Sequence, residues 1–481
     1  MPPTKTPSQG PFFLVAGDST AAALTALELA RQGIPVKLVA SPGSAAAGIA
    51  ISFGISLDPG SFSLFLGRTG LTDISHLILF PADLCEMALW LAAAEDAVDK
   101  NRRAPISVFA AAPNAESLAA VRRGVAVIEP QPYFFVQFFS IDEDIARDFV
   151  FEYFGNKARD GDGANGFLIV GSNSLAEAIV LKIAKLGGLL DGSKPKVDWI
   201  ITQEMAQKID LRYPALKEIS VLNFHSPEGE PLMLIESFAD PTRALILTEG
   251  SKGLEECSTI GQRGVLKHFV GTYVPHGRAD RLNRVFRKHF SWGANAGYVR
   301  FFGDYSVTAS LARFGETGRF RLPRSIHERY CEARMAEGEL PVDNPSLKPW
   351  HAIDEDARQS NRERADHIFY TLGRLGYVVD EARDGTGSTI SFDKDKELLE
   401  QLARLEHLRW TAERRLAWWS FGAIRDNALR RHPLLVPFDA LEEDEKEKDR
   451  QTVRDIPEVL RRAGLVAKSA DQRGVPPPLP R

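Results

Sequence analysis

The chain has 481 residues, 44% of them hydrophobic and 26% charged, with a net charge of −5. That length suggests about three domains, and the composition is that of a globular protein with real cores. The negative balance argues against a broad nucleic-acid-binding surface and leaves room only for a local basic pocket.

Three separated cysteines, Cys85, Cys257 and Cys331, lead us to expect reduced thiols. The polar opening "MPPTKTPSQG" lacks the apolar core of a signal peptide, and no run approaches the ~18 apolar residues of a membrane span. The expectation is a cytoplasmic protein.

In chain order, residues 1–10 read as a disordered tail. "PFFLVAGDSTAAALTALELARQGIPVKLVAS" then predicts strand, tight turn, helix and strand, with Gly33 closing the helix. "HLILF", "DLCEMALWLAAAEDAVDKN", "PISVFAAA" and "ESLAAVRRGVAVIEP" continue the alternation, which predicts a doubly wound parallel sheet over 11–155. The Gly-rich polar stretch 156–166 reads as a linker. "FLIVGSNSLAEAIVLKIAKLGG" restarts the pattern, and "VDWIITQ", "RALILTEG", "HFVGTYV" and "GYVRFFG" supply further strands of a second α/β domain over 165–312. From about 320 the strand signal disappears, which predicts an all-helical module over 320–468 and a Pro-rich tail over 469–481.

The helical region repeats itself. "PWHAIDEDARQSNRERADHIFYTLGRLGY" (349–377) aligns without gaps on 437–465 at an offset of 88 residues. Pro349, Trp350, Arg362, Ile368, Leu372 and Gly376 fall on Pro437, Phe438, Arg450, Ile456, Leu460 and Gly464. Upstream, "SIHERYCEAR" echoes "LEHLRWTAER" at an offset of 80, so the second copy carries eight extra residues in its middle loop. The copies span about 325–380 and 400–468, and such twins bury their apolar faces against each other. Ala365, Ile368 and Leu372, with Val453, Ile456 and Leu460, form the predicted inner stripes. Pro457, where copy one has Phe369, should kink its helix or start a new one.

"EHLRWTAERRLAWWSFG", "HPLLVPFDALEEDEKEKDR" and "IPEVLRRAGL" resemble the ryanodine-receptor repeat (RyR) domain, including its stand-alone bacterial forms, and copy one resembles a divergent member. That resemblance implies a small tandem helical module, and bacterial versions resemble suspected sensors of nucleotide-derived ligands. "FLVAGDSTAAALTALELARQGIPVKLV", "LTDISHLILF" and "VRRGVAVIEP" resemble the nucleotide-binding domain of potassium-conductance regulators (RCK or TrkA-N type), with the block from 166 a weaker second copy. This implies two tandem Rossmann-like domains ahead of the helical module, homodimerisation, a nucleotide at the first turn and a role in potassium ion transport.

The first turn departs from the dinucleotide fingerprint, whose glycines let a pyrophosphate approach a helix N-terminus. Gly17, Asp18, Ser19 and Thr20 keep only the first glycine, and Gly171, Ser172 and Asn173 do the same in the second domain. The acidic residue expected after the second strand is replaced by Ala40 and Ser41 in the first domain, with Glu204 a substitute in the second. These residues remain cofactor candidates, for an adenine nucleotide or an NAD-derived ligand. Retention of the fold as a dimerising scaffold is the competing reading.

In the repeats, His407, Trp410, Arg414 and Trp418 share one helical stripe. A Trp plane with an Arg four residues on suits a stacked purine with its phosphate. Arg409, Arg450, Trp350 and Arg362 complete the candidate set, and packing of these aromatics between the copies is the alternative. A Ser19 nucleophile with Asp73 and His76 is the hydrolase reading. "HERYC" lacks the second His of a zinc helix, so no metal is expected. His268, His276 and His289 lie in a basic stretch that reads as a solvated face.

The resulting expectation is a non-catalytic sensor of a nucleotide-type ligand, relaying to a channel, transporter or defence effector on a separate chain, with no nucleic acid. A docking scaffold without ligand, and an enzyme working through Ser19 or a nicotinamide cofactor, are the alternatives.

Overall fold

The computed structural model describes residues 12–100, 102, 104–122, 131–157, 166–186, 188, 192–227, 243–248, 270–274, 279–289, 299–303, 310–315, 317–342, 344–382 and 390–469. They form two compact units, Met1–Asp144 with Asp304–Glu316, and Ile145–Gly303 with Thr317–Arg481.

The first unit is built on strands β1 (Phe12–Ala16), β2 (Val36–Ala40), β3 (Leu57–Pro59), β4 (Ile74–Leu79), β5 (Ile106–Ala111) and β6 (Phe134–Phe139). All pair parallel in the order β3-β2-β1-β4-β5-β6, a Rossmann-like arrangement. Alternate residues serve opposite faces. Leu14, Leu77, Leu79 and Val108 meet helices α3 (Phe62–Thr69), α4 (Leu84–Ala97) and α5 (Ala115–Arg122). Phe13, Val15, Leu38, Ile78 and Phe109 meet α1 (Thr20–Arg31) and α2 (Ala45–Phe53). Phe314, from the segment that returns after the second sheet, joins the latter core, and its neighbour Arg313 is held by Asp144 at 3.1 Å. The strand read from "VAVIEP" lies outside the described residues, and β6, "FFVQFF", is a strand that the sequence reading did not place.

His76 sits between Phe13 and Phe109, its ring stacked at 4.2 Å on the first, and burial lowers its pKa to about 4. An unfolded chain binds that proton from about 6.5 downward, so this site removes stability as pH falls from about 6.5 towards about 4. His76→Phe keeps the stack and should flatten part of that acid-side loss, measured as the midpoint of thermal unfolding against pH.

The second unit begins at Ile145, within α6 (Ile141–Lys157), and holds another parallel sheet, β7 (Gly166–Val170), β8 (Lys196–Ile200), β9 (Val221–His225), β10 (Arg243–Leu247), β11 (Val270–Tyr273) and β12 (Val299–Phe302). Its order, β12-β11-β10-β7-β8-β9, is the same connection scheme as the first sheet read from the opposite edge. The helices α7 (Ser174–Ala184), α8 (Gln203–Arg212), α9 (Leu216–Ile219) and α10 (Ala279–His289) accompany it. A four-residue helix α11 (Leu311–Phe314) carries the segment that returns to the first unit.

The C-terminal region comprises α12 (Leu322–Ala336), α13 (Glu355–Arg374), β13 (Tyr377–Glu381), α14 (Lys396–Leu416), a small parallel pair β14 (Ser420–Phe421) and β15 (Arg431–His432), α15 (Glu443–Arg454), α16 (Ile456–Arg462) and β16 (Leu465–Ser469). Its twin halves are related by a pseudo-twofold axis. β13 and β16 are 88 residues apart and pair antiparallel, with Val379 opposite its own counterpart Ala467. Gly376 and Gly464, both with positive φ, turn each helix into its strand. The module is therefore not all-helical. Five-residue strands directly after a capping glycine are too short to show against the helix before them. The predicted stripes are buried together in one core with Leu322, Leu402 and Leu405. Pro457 sits in the first turn of a new helix, as its missing N–H favours.

Candidate functional site

The first strand-to-helix turn of each sheet is held by its own side chains. Gly17 has φ +146°, and a Cβ there would lie 2.6 Å from the Phe80 carbonyl oxygen, so the turn admits only glycine. Ser19 accepts from Ala22 N–H as the cap of α1, at 3.3 Å. Asp18 accepts from Ser41 N–H at 2.6 Å and so places a carboxylate in the crevice between β1 and β2. Thr20 begins α1. His76 lies at the level of Phe13, at the far end of β1 from Ser19, so the geometry does not assemble a Ser–His pair.

In the second sheet, Asn173 caps α7 and donates to the Thr248 carbonyl at 2.9 Å. Ser172 accepts from Thr202 N–H, and the Gly171 carbonyl accepts from the Trp199 indole at 2.8 Å. Glu204 stands in the first turn of α8, fully exposed and paired with Lys208, and not at the strand end where a ribose would be met.

The pseudo-symmetry sorts the repeat candidates. Features present in both copies act as scaffold. His327 and His407 each hydrogen-bond a loop carbonyl through Nε2 at 2.8 Å, Lys348 and Val436 respectively. Each also packs on a loop aromatic at 5.9 Å, Trp350 and Phe438. His407 further faces Asp449 at 3.3 Å; burial opposes its protonation, but Asp449 and the Val436 carbonyl outweigh it and raise the pKa. Arg362 and Arg450 bond Glu355 and Glu443, two helical turns upstream in each copy, and Arg450 also takes Glu400. Arg409 is 2% exposed and held by Glu406 and Glu413. Of the candidates, His407, Arg409, Trp350, Arg362 and Arg450 thus brace the module.

What copy two has alone converges elsewhere. Trp410 stands where copy one has Tyr330, and Trp419 where it has Glu339. His432 comes from the longer loop. The Trp410 and His432 rings meet edge-on at 5.0 Å, and Trp419 meets His432 at 6.2 Å. Arg414 lies over Trp419 at 5.3 Å, whereas in copy one Arg334 makes an ion pair with Glu339. Leu434 N–H donates to His432 Nδ1, which leaves the ring proton on Nε2. Burial, reinforced by Arg425 and Arg414, lowers the His432 pKa to about 4, so the ring is neutral near pH 7. The Trp419 indole N–H is buried without a hydrogen-bond partner, an unmet donor that costs stability until its surroundings open to an acceptor. Arg414 also reaches Asp356 on copy one at 2.9 Å. Burial raises the Asp356 pKa despite that arginine.

Trp418 does not join this cluster. The helix ends at Leu416, and Trp418 occupies the left-handed position that copy one gives to Gly338, at φ 69° against 93°. Its indole donates to the Arg212 carbonyl at the end of α8, and Arg415 reaches Glu218. Neither Trp419 nor His432 shows in the sequence as a site residue, because Trp419 lies beyond the helix end at Leu416 and a single loop histidine carries no periodic signal.

Among the described residues no group of three or more His, Cys, Asp or Glu side chains could hold a metal ion, and no helix is long and apolar enough to cross a membrane. His268 and His276 of the basic stretch lie outside the described residues.

The doubled, pseudo-symmetric helix pair closed by a two-stranded sheet defines the class of module. Residues 388–468, the second copy, match the family model of the RyR domain.

Proposed function

We propose that this chain is a non-catalytic sensor that takes a flat, anionic, nucleotide-type ligand between Trp410 and Trp419 and relays its presence to a partner in ion transport or defence. The observation that carries the reading is the unmet Trp419 N–H beside an aromatic pair and a guanidinium. His432 packs edge-on against both indoles, so a base stacks there by taking the place of that ring, a contact worth about 1–3 kcal/mol per base, and Arg414 supplies a charge-assisted bond to its phosphate. The ligand's anion competes with Asp356 for Arg414, so binding loosens a bond between the copies and shifts the module between two arrangements. Trp418, one residue away, ties this region to α8. In this reading the second sheet is a second Rossmann-like domain, both α/β parts are of RCK or TrkA-N type, the chain is a cytoplasmic homodimer, and the α/β turns serve as scaffold because their own side chains fill them.

A docking scaffold without ligand is the second reading, favoured by the carboxylates that already match Arg362, Arg409 and Arg450. Thermal unfolding across a panel of adenine nucleotides and NAD-derived compounds separates the two. A ligand at a hundredfold its Kd adds about 2.7 kcal/mol. Trp410→Ala should lose the shift and Asp18→Ala should keep it. No shift with any compound, or the opposite pattern in the two variants, overturns the proposal.

A further inference from the structure

Besides His432, the longer loop of copy two carries an exposed lobe. Between β14 and β15, residues 423–425 and 427–429 are all exposed. The lobe is held in shape from within. Asp426 and Arg431 exchange backbone hydrogen bonds at 3.0 and 2.8 Å, and Asp426 Oδ1 accepts from Leu429 N–H. Gly422 allows the Arg431 stem to lie against the backbone, since a Cβ there would meet Arg431 Cβ at 2.8 Å. Three large apolar side chains stand out from this braced tip: Phe421 at 56%, Ile424 at 82% and Leu429 at 61% exposure. Around them the stretch 417–434 holds Arg425, Arg430 and Arg431 against the single Asp426, in a chain whose net charge is −5.

We infer that this lobe docks the protein peripherally on an anionic lipid surface, with Ile424 and its apolar neighbours entering the headgroup boundary and Arg425 and Arg431 meeting lipid phosphates or carboxylates. The charge segregation favours an anionic surface. The exposure favours a bilayer over a folded partner: the apolar groups stand singly among exposed loop residues, which a fluid interface accepts without a matching concavity. The inference does not rest on the ligand reading: Arg425 acts on His432 through its charge, but Phe421, Ile424 and Leu429 take no part in the ring contacts among Trp410, His432 and Trp419.

The test is flotation of the full chain with vesicles of phosphatidylcholine alone or with a third phosphatidylserine. Binding should require phosphatidylserine and weaken with salt. Ile424→Asp and Arg431→Glu should each lower partitioning roughly tenfold, while Val342→Asp, at another exposed apolar position, should leave it unchanged. Circular dichroism confirms that the variants fold. No binding by the parent chain, equal binding to both vesicles, or binding that the lobe variants leave intact overturns the inference. So does loss of self-association in the lobe variants without any vesicle binding, which would assign the lobe to a protein contact.

Discussion

Glu363→Ala should destabilise the second unit by about 3–5 kcal/mol, the cost of leaving buried charge unmatched. Glu363 is 4% exposed on α13 and takes Lys182 at 2.7 Å and Lys185 at 2.8 Å from α7, with Gln359 at 2.6 Å. Asp366, one turn on, receives Lys182 and Arg147. Burial opposes ionisation of Glu363, but the two lysines hold its pKa well below the ordinary carboxylate value. The network fastens copy one of the module to the second sheet through α6 and α7. Because the lysines remain after the substitution, the loss measures a stranded charge as well as a lost bond. Lys185→Met in the same chain should recover part of it, and a double-mutant cycle by chemical denaturation reads the coupling. A loss within about 0.5 kcal/mol, the range of ordinary surface substitutions, would mean that the network holds nothing.

The second large effect concerns Arg414. If ligand and Asp356 share it, the two partners respond in opposite directions. Arg414→Ala should weaken nucleotide binding about 10- to 100-fold, as loss of a charge-assisted bond of roughly 1.5–3 kcal/mol implies. Asp356→Asn should tighten it, because the internal competitor loses its charge while Asp354 still caps α13. Calorimetric titration of both variants distinguishes competition from plain support. Weakening in both would make Asp356 a positioning residue and leave the relay without its switch.

Much of this architecture was legible in the residues. The gapless offset of 88 located both copies, and the inner stripe Ala365, Ile368 and Leu372 followed from helical period alone. Both sheets showed as apolar runs between helical patterns, except at the aromatic run of β6, the short β3, and β9, "VLNFH", where Asn223 and His225 interrupt the apolar run. The site was harder. Arg409 looked available on a helical wheel, yet Glu406 and Glu413 stand three residues before and four after it, the spacing at which helix neighbours pair. That signal was present in "EHLRWTAE". Glu204 looked like a strand-end acid because nothing in "VDWIITQE" marks where β8 stops, whereas Thr202 caps the next helix. Trp418 and Trp419 could not be separated by period, since the helix ends at Leu416 and Trp418 is itself left-handed. The convergence of Trp419, His432 and Arg414 depends on how an irregular loop folds back, which no local pattern encodes.

The central claim is that copy two grips a flat anionic ligand between its indoles. The most direct measurement is a crystal structure of the chain grown with the nucleotide that gives the largest thermal shift. Density is expected for the base against Trp410 and Trp419, with an acceptor on Trp419 Nε1 and Arg414 turned from Asp356 to the phosphate. Density at the Gly17 or Gly171 turn instead, with Arg414 still on Asp356, would contradict it.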